Sequence, residues 1–215
     1  MIVGLGAVGG YALEGIARAG VGRLILVDFD SFDETNINRQ ILALTSTIGR
    51  KKTAVAYDRV KEINPDCDVK IKDCFVCEEN LEALLDEKID FVIDAIDTIK
   101  PKCDLMEKLY QKNIPFISSM GAALKTDCSS IRQDKLSKTL NCPMARTVRQ
   151  NLKKRGVKIE KIDCVFSAEQ AKVSQSCIQE TAKGEKNILG SLPTITAIFG
   201  MMMSGHLIEK ITQGK

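Results

Sequence analysis

Gly4-Leu5-Gly6-Ala7-Val8-Gly9 decides the fold, because it follows the apolar residues 1–3 and opens a helical pattern that runs from Val8 to Ala19. Glycines at this spacing permit a tight turn between strand and helix, and they let the backbone approach a phosphate. The N–H groups at the start of the helix can then bind an anion. The stretch predicts a nucleotide site. Glycines that serve only helix–strand packing are the alternative.

Strand and helix patterns alternate through the first 130 residues. Short apolar strands are predicted over 23–27, 69–76, 90–95 and 115–119, and helices over 8–19, 53–63, 79–86 and 101–112. This alternation is typical of an α/β protein with a Rossmann-like, doubly wound and mostly parallel sheet. We expect a nucleotide-binding domain over 1–130. Residues 131–215 should add a basic segment, a strand near 164–167 and a helix from about Pro193, completing the same globule.

Charge is unevenly distributed along the 215 residues. The net charge is +3, but residues 132–161 contain ten basic and two acidic side chains, so this segment carries +8 and the remainder −5. Such asymmetry is typical of a surface for an anionic partner, and a solvated helix face is the plain alternative.

Composition also bears on the cellular setting. The eight cysteines are scattered without a secretory leader, which predicts a reducing cytoplasm. Cys74 and Cys77 form a single C-x-x-C, which does not support a four-thiolate zinc site, and Cys74 is expected to pack on the strand 69–76. Residues 187–207 carry no Asp, Glu, Lys or Arg, but they are too polar and too rich in glycine for a convincing membrane span.

Charged residues follow the predicted strands where a nucleotide would bind. Asp28 ends the second strand and can accept hydrogen bonds from ribose hydroxyls. Arg39 and Lys52 could neutralise a leaving pyrophosphate, and Asp97 could hold Mg²⁺ with its carboxylate. Each alone is typical of a surface charge or a helix cap. Together they favour an enzyme that splits ATP at the α-phosphate.

The motifs, in this order, resemble the ThiF/MoeB/ubiquitin-activating superfamily of adenylating enzymes. They are G-x-G-x-x-G, L-I-L-V-D-F-D, N-x-N-R-Q, G-x-x-K and D-A-I-D, covering about residues 3–123. The resemblance implies an ATP-binding domain over 1–130 with Mg²⁺ on Asp97. It implies that the nucleotide contacts Gly4, Gly6, Ala7, Gly9, Asp28, Asp30, Asn36, Arg39, Lys52 and Asp97. The catalytic set it implies is Arg39, Lys52 and Asp97.

Further signatures resemble the TcdA (CsdL) branch, the tRNA threonylcarbamoyladenosine dehydratases. They are residues 36–41, the stretch from 93 to 102, and Asp163-Cys164-Val165-Phe166-Ser167. The resemblance implies adenylation of the threonylcarbamoyl carboxylate beside the anticodon, followed by ring closure. It implies a homodimer and a possible sulfur-transfer partner. The candidate tRNA-binding residues are Arg146, Arg149, Lys153, Lys154 and Arg155.

Other hypotheses remain open at this point. Activation of a ubiquitin-like or sulfur-carrier C-terminus would favour two C-x-x-C pairs, which the sequence lacks. Members of the family normally have an arm ahead of the glycine turn, whereas three residues precede Gly4 here. We therefore expect a short first strand. A nucleotide-binding protein without turnover is the further alternative. An oxidoreductase would need a hydride-transfer acid–base pair. Cys164 and His206 are expected to be structural.

Overall fold

The computed structural model describes residues 1–170 and 190–213. Its strands form a seven-stranded sheet within that part of the chain, in the order β3-β2-β1-β4-β5-β7-β6. The strands are β1 (Ile2–Val3), β2 (Arg23–Asp28), β3 (Asp68–Asp73), β4 (Val92–Asp94), β5 (Phe116–Ser119), β6 (Ile131–Lys135) and β7 (Asp163–Ser167). The helices are α1 (Gly9–Arg18), α2 (Lys52–Ile63), α3 (Glu78–Leu84), α4 (Ile99–Gln111), α5 (Pro143–Lys154) and α6 (Pro193–Gln213).

Neighbouring strands of the sheet run parallel, with the exception of β6 against β7. This confirms the predicted α/β class with a doubly wound, mostly parallel sheet. The first strand, β1, has two residues, as the position of the glycine turn predicts. It lies at the centre of the sheet between β2 and β4, where the strand order reverses.

Alternate residues of β2 feed two hydrophobic cores, because successive side chains of a strand point to opposite faces. Leu24 and Leu26 pack with α1, α2 and α6 on one face. Ile25 and Val27 pack with α3 and α4 on the other. A third cluster joins α4 and α5 to β7. The helices therefore cover both faces of the sheet.

Two expectations about secondary structure are corrected. The strand predicted over 69–76 ends at Asp73, so Cys74 lies beyond the strand, where it is half-buried at the edge of a cleft. Residues 131–135 form an edge strand that the sequence did not predict, since Ile131 is its one buried residue and the others are polar. The basic segment also contains α5, whose buried positions are few: Ala145, Val148 and Leu152.

Within residues 1–170 and 190–213, no helix has the length and apolar character that crossing a membrane requires. Residues 187–189 of the segment considered above lie outside the described residues.

Candidate nucleotide-binding site

A cleft of about 430 Å³ opens at the carboxyl ends of β1, β2, β4 and β5. Ligands of open α/β sheets bind at this edge, at the point where the strand order reverses. Of the predicted site residues, the cleft is lined by Gly4, Gly6, Ala7, Asp28, Asp30, Arg39, Lys52 and Asp97. Gly9 and Asn36 are not among its lining residues.

The three glycines of the turn differ in how closely other atoms approach them. Gly4 has a φ of +88°, and a Cβ there would lie 2.7 Å from the Ala95 carbonyl oxygen. A Cβ on Gly9 would lie 1.8 Å from the Gly4 carbonyl oxygen. Gly6 faces open space instead, since a Cβ there would meet only Gln40, at 3.9 Å. Close packing thus explains Gly4 and Gly9, whereas Gly6 and Ala7 remain as cleft wall.

Asp28 ties the end of β2 to the glycine turn. Its Oδ2 accepts a hydrogen bond from the Leu5 N–H at 2.6 Å, and its Oδ1 accepts one from the Asp30 N–H at 2.9 Å. The carboxylate is buried but lines the cleft. Because each carboxylate oxygen can accept more than one hydrogen bond, Asp28 can still accept from a ligand hydroxyl.

Lys52 is the first residue of α2, and its ammonium is already paired. Its Nζ lies 3.0 Å from Asp30 Oδ2, and the side chains are 8% and 48% exposed, respectively. The backbone joins the same residues, because the Lys52 N–H donates to the Asp30 carbonyl at 3.0 Å. This double link fixes a buried cation at the cleft, beside an acid that a phosphate would have to displace.

Arg39 and Asn36 are partly buried, and both make local hydrogen bonds. The Arg39 guanidinium donates to the Thr35 carbonyl at 2.6 Å and to Asn38 Oδ1 at 3.0 Å. Asn36 instead belongs to the capping of a short helical turn, where Asp33 is the N-cap residue. Arg39 therefore lies at the cleft, and both of its local bonds use the same guanidinium nitrogen, Nη1.

Asp97 follows β4 and presents an exposed carboxylate to the cleft, with its Oδ1 3.2 Å from the Thr98 hydroxyl. Within residues 1–170 and 190–213, no group of three or more His, Cys, Asp or Glu side chains is placed to hold a metal ion. Mg²⁺ commonly binds through one or two carboxylates together with phosphate oxygens and waters. The donor set therefore fits a Mg²⁺ that arrives with a nucleotide.

Several cleft residues escaped the sequence analysis. Phe29 and Phe75 lie edge to face with ring centroids 5.0 Å apart, and both are exposed at the cleft. Large aromatics within two residues of a strand end are the signal that could have identified them. Thr196 reaches the cleft from α6, with its hydroxyl 3.4 Å from the Arg39 carbonyl. No local pattern places that helix beside the glycine turn.

Cys164 and His206 lie outside the cleft lining. Cys164 is buried in β7, and burial raises the pKa of its thiol. His206 is buried in α6, with Nδ1 2.8 Å from Gln133 Nε2 and Nε2 3.6 Å from Asp163 Oδ2. Burial alone would raise the pKa of Asp163, but His206 and Lys135 outweigh it and lower this pKa to about 2. Both residues have structural surroundings.

The basic helix α5 begins beside the cleft, where Met144 is part of the wall. Arg146, Lys153 and Lys154 are exposed and form no ion pair within the part of the chain that the structure describes. Arg149 donates to the Thr139 carbonyl at 2.9 Å. Arg155 pairs with Asp104 at 2.7 Å and Glu107 at 3.0 Å. Two of the five candidate tRNA-binding cations are therefore engaged within the chain.

Comparison with known proteins now adds to this geometry. The model of the ThiF family matches residues 1–215. The chain belongs to the ThiF family. The family predicted from the motifs is thereby confirmed.

Relatives of this ThiF-family chain align along nearly its whole length. A tRNA threonylcarbamoyladenosine dehydratase of Bacillus subtilis (strain 168) is 40% identical, with 96% of this chain and 84% of the relative covered. The dehydratase of Haemophilus influenzae is 37% identical, covering 100% and 85%. The crystal structure of Escherichia coli TcdA in complex with ATP superposes with a TM-score of 0.88 at 33% identity, covering 99% of this chain and 85% of that one.

Proposed function

We propose that this chain is an ATP-dependent tRNA threonylcarbamoyladenosine dehydratase. The observation that carries the proposal is similarity to dehydratases over 96% to 100% of the chain. That similarity extends past the nucleotide-binding half into the basic segment. An enzyme that shared only the adenylation chemistry would not be expected to be similar in that segment. The cleft at the carboxyl ends of the strands supplies the place for the reaction.

The proposed reaction has two steps. The threonylcarbamoyl carboxylate attacks the α-phosphorus of ATP, the bond to the β-phosphate breaks, and pyrophosphate leaves. The ureido group of the same nucleoside then attacks the activated carboxyl carbon, which closes a ring and releases AMP. One carboxylate oxygen leaves on AMP, so the nucleoside loses the elements of water while no free water forms.

The cleft residues divide this work by chemistry. Gly6 and Ala7 form a wall along which a nucleotide can lie, and Asp28 accepts a hydrogen bond from a ribose hydroxyl. Lys52 and Arg39 stabilise the negative charge that develops on the leaving pyrophosphate. For Lys52 this requires the phosphate to replace Asp30 as its partner, so that Asp30 holds the cation ready until the nucleotide enters.

Asp97 is the residue that would hold Mg²⁺, and Asp28 and Asp30 are the other acidic residues that line the same cleft. Bound there with ATP, Mg²⁺ would neutralise charge on the phosphate oxygens. The role of this chain is to fix the position of the Asp97 carboxylate, in the segment between β4 and α4.

The exposed face of α5 is proposed as the tRNA-binding surface. Arg146 and Lys153 lie seven residues apart, which places them on one side of a helix. Their exposure, together with that of Lys154, suits contacts with phosphates that set position without reading bases. Arg149 and Arg155 are better placed to orient the helix, since both already bond to neighbouring groups.

We also propose a cytoplasmic homodimer, because the family resemblance implies one. A sulfur-transfer protein stays a further proposed partner. Sedimentation at several protein concentrations tests the dimer, and a dimer should have twice the 23.7 kDa mass of one chain.

The test of function is a reaction of the purified chain with ATP, Mg²⁺ and tRNA that carries threonylcarbamoyladenosine. We expect the modified nucleoside to lose the mass of one water while AMP and pyrophosphate appear. AMP that forms only with a small protein ending in diglycine would instead identify a carrier-protein activator. Bound ATP without AMP under either condition would identify a nucleotide-binding protein without turnover.

A further inference from the structure

We infer that Lys102 is a positioning residue that holds the Asp97 segment in the orientation the nucleotide site needs. The inference rests on the proposed function, because Asp97 matters only if a nucleotide binds in the cleft. Lys102 lies on α4 and does not line the cleft itself. Its action would pass through the backbone between β4 and α4.

The Lys102 ammonium makes two contacts beneath the cleft. Its Nζ lies 2.8 Å from Asp94 Oδ2, and it donates a hydrogen bond to the Ile96 carbonyl at 2.8 Å. The side chains of Lys102 and Asp94 are both 0% exposed. The pair is therefore withdrawn from water, and one of its contacts is with the residue directly before Asp97.

Asp94 completes the hold on the same residue. Its Oδ1 accepts a hydrogen bond from the Ile96 N–H at 3.1 Å, and its Oδ2 accepts one from the Ser118 hydroxyl at 2.7 Å. Both backbone polar groups of Ile96 are thus bonded to one buried ion pair. Ser118 anchors that pair to β5, so the segment that presents Asp97 is held from two strands and a helix.

Stability alone does not explain such a pair. Taking two charges out of water is costly, and replacing a buried ion pair by apolar residues is often neutral or stabilising. Apolar packing is available at this position, since Met106 on the same helix is fully buried with its sulfur 3.7 Å from the Ser118 hydroxyl. What an apolar pair could not supply is a donor for the Ile96 carbonyl.

Two variants separate a structural from a positioning role. Lys102→Met leaves Asp94 as an unpaired buried charge, so a lower melting temperature is expected. The double variant Asp94→Asn with Lys102→Met removes both charges, so it should regain most of the lost melting temperature. The Ile96 carbonyl still lacks its donor in this variant. The matched control is Lys100→Ala, which removes an exposed ammonium on the same helix and leaves its partner, Asp104, paired with Arg155.

We expect the folded double variant to form AMP on the order of 100-fold more slowly, the scale of a displaced reactive group. The Mg²⁺ concentration that gives half-maximal ATP binding in calorimetry should also rise about tenfold, which corresponds to a tenfold weaker binding constant. Lys100→Ala should match wild type in both. A folded double variant with wild-type AMP formation and Mg²⁺ dependence would overturn the inference. Since calorimetry uses no tRNA, wild type that binds MgATP but fails to dehydrate tRNA would instead refute the proposed function.

Discussion

The glycine-turn side of the cleft and the outer face of α5 differ in how they would bind phosphate. Around the glycine turn, the groups are held in place by short contacts: Asp28 bonds to two backbone N–H groups, and Lys52 is buried against Asp30. On α5, Arg146 and Lys153 project into water without a partner in the described residues. Rigid groups suit one small ligand bound in one pose, whereas exposed cations suit a long polyanion.

The difference implies that mutations on the two sides should have different consequences. Loss of a rigid group at the cleft should affect the chemical step or the fold. Loss of an exposed cation on α5 should affect tRNA affinity and its dependence on salt. The predictions for Lys52, Gly9 and α5 each test one side of this comparison, and the prediction for Asp163 concerns a region outside both.

The largest effect is expected from Lys52→Ala. Removing a cation that faces developing charge commonly lowers the rate by about 10²- to 10³-fold. AMP formation measured under single-turnover conditions should fall by that factor, while tRNA binding in a filter assay stays close to wild type. Lys51→Ala is the matched control, because Lys51 is exposed and pairs with Asp73 at 3.3 Å. An equal loss of AMP formation in Lys52→Ala and Lys51→Ala would contradict the distinction between rigid and exposed cations.

A smaller effect, on stability, is expected from Gly9→Ala. The added methyl would meet the Gly4 carbonyl at 1.8 Å, so the glycine turn must shift. Overpacking of this kind typically costs about 1–3 kcal/mol, which urea unfolding can measure. Gly22→Ala is the control, since a Cβ there has no neighbour within 4 Å. A Gly9→Ala variant as stable as the Gly22→Ala variant would show that the turn is looser than described.

Acid stability should depend on Asp163, away from both phosphate-binding regions. Its pKa is lowered to about 2 from the usual 3.8, so its stabilising contribution is present above pH 3.8 and is lost as the pH falls towards 2. The difference corresponds to about 2 kcal/mol at neutral pH. Asp163→Asn should therefore lower the free energy of unfolding at pH 7 and flatten its decline between pH 4 and pH 2. Asp66→Asn, at an exposed site, should leave the profile unchanged.

The smallest effects are expected from single changes on α5. Arg146→Ala, Lys153→Ala and Lys154→Ala should each weaken tRNA binding and reduce its salt slope by just under one unit, about one counterion per lost contact. ATP binding should not change. Lys88→Ala is the control, because Lys88 is exposed near the amino end of β4, opposite the cleft. An unchanged salt slope in all three variants would place the tRNA on another surface.

Much of the first half could be predicted from the sequence, because local patterns determine it. Apolar runs and amphipathic helices place β2, α2 and β5 within a residue or so of their observed bounds. The strand β6 could not be predicted, since it buries only Ile131 and its other four residues are polar. The division of the chain at residue 130 stays a prediction.

The site was less predictable than the fold. Strand ends bring Asp28 and Asp97 to one cleft, as parallel topology requires. The ion pair between Asp30 and Lys52 and the bonds of Arg39 to Thr35 and Asn38 depend on side-chain geometry that no spacing shows. Thr196 enters from a helix more than 150 positions along the chain from Arg39. Long-range packing of this kind has no signature in local sequence.

One measurement tests the proposed chemistry most directly. tRNA bearing threonylcarbamoyladenosine with a heavy-oxygen label in its carboxylate is incubated with the chain, ATP and Mg²⁺, and AMP is analysed by mass. Attack of that carboxylate on the α-phosphorus predicts that the label appears in the phosphate of AMP, one label for each ring formed. Label that stays wholly in the nucleoside, or that leaves as water with unlabelled AMP, would contradict adenylation of the threonylcarbamoyl carboxylate.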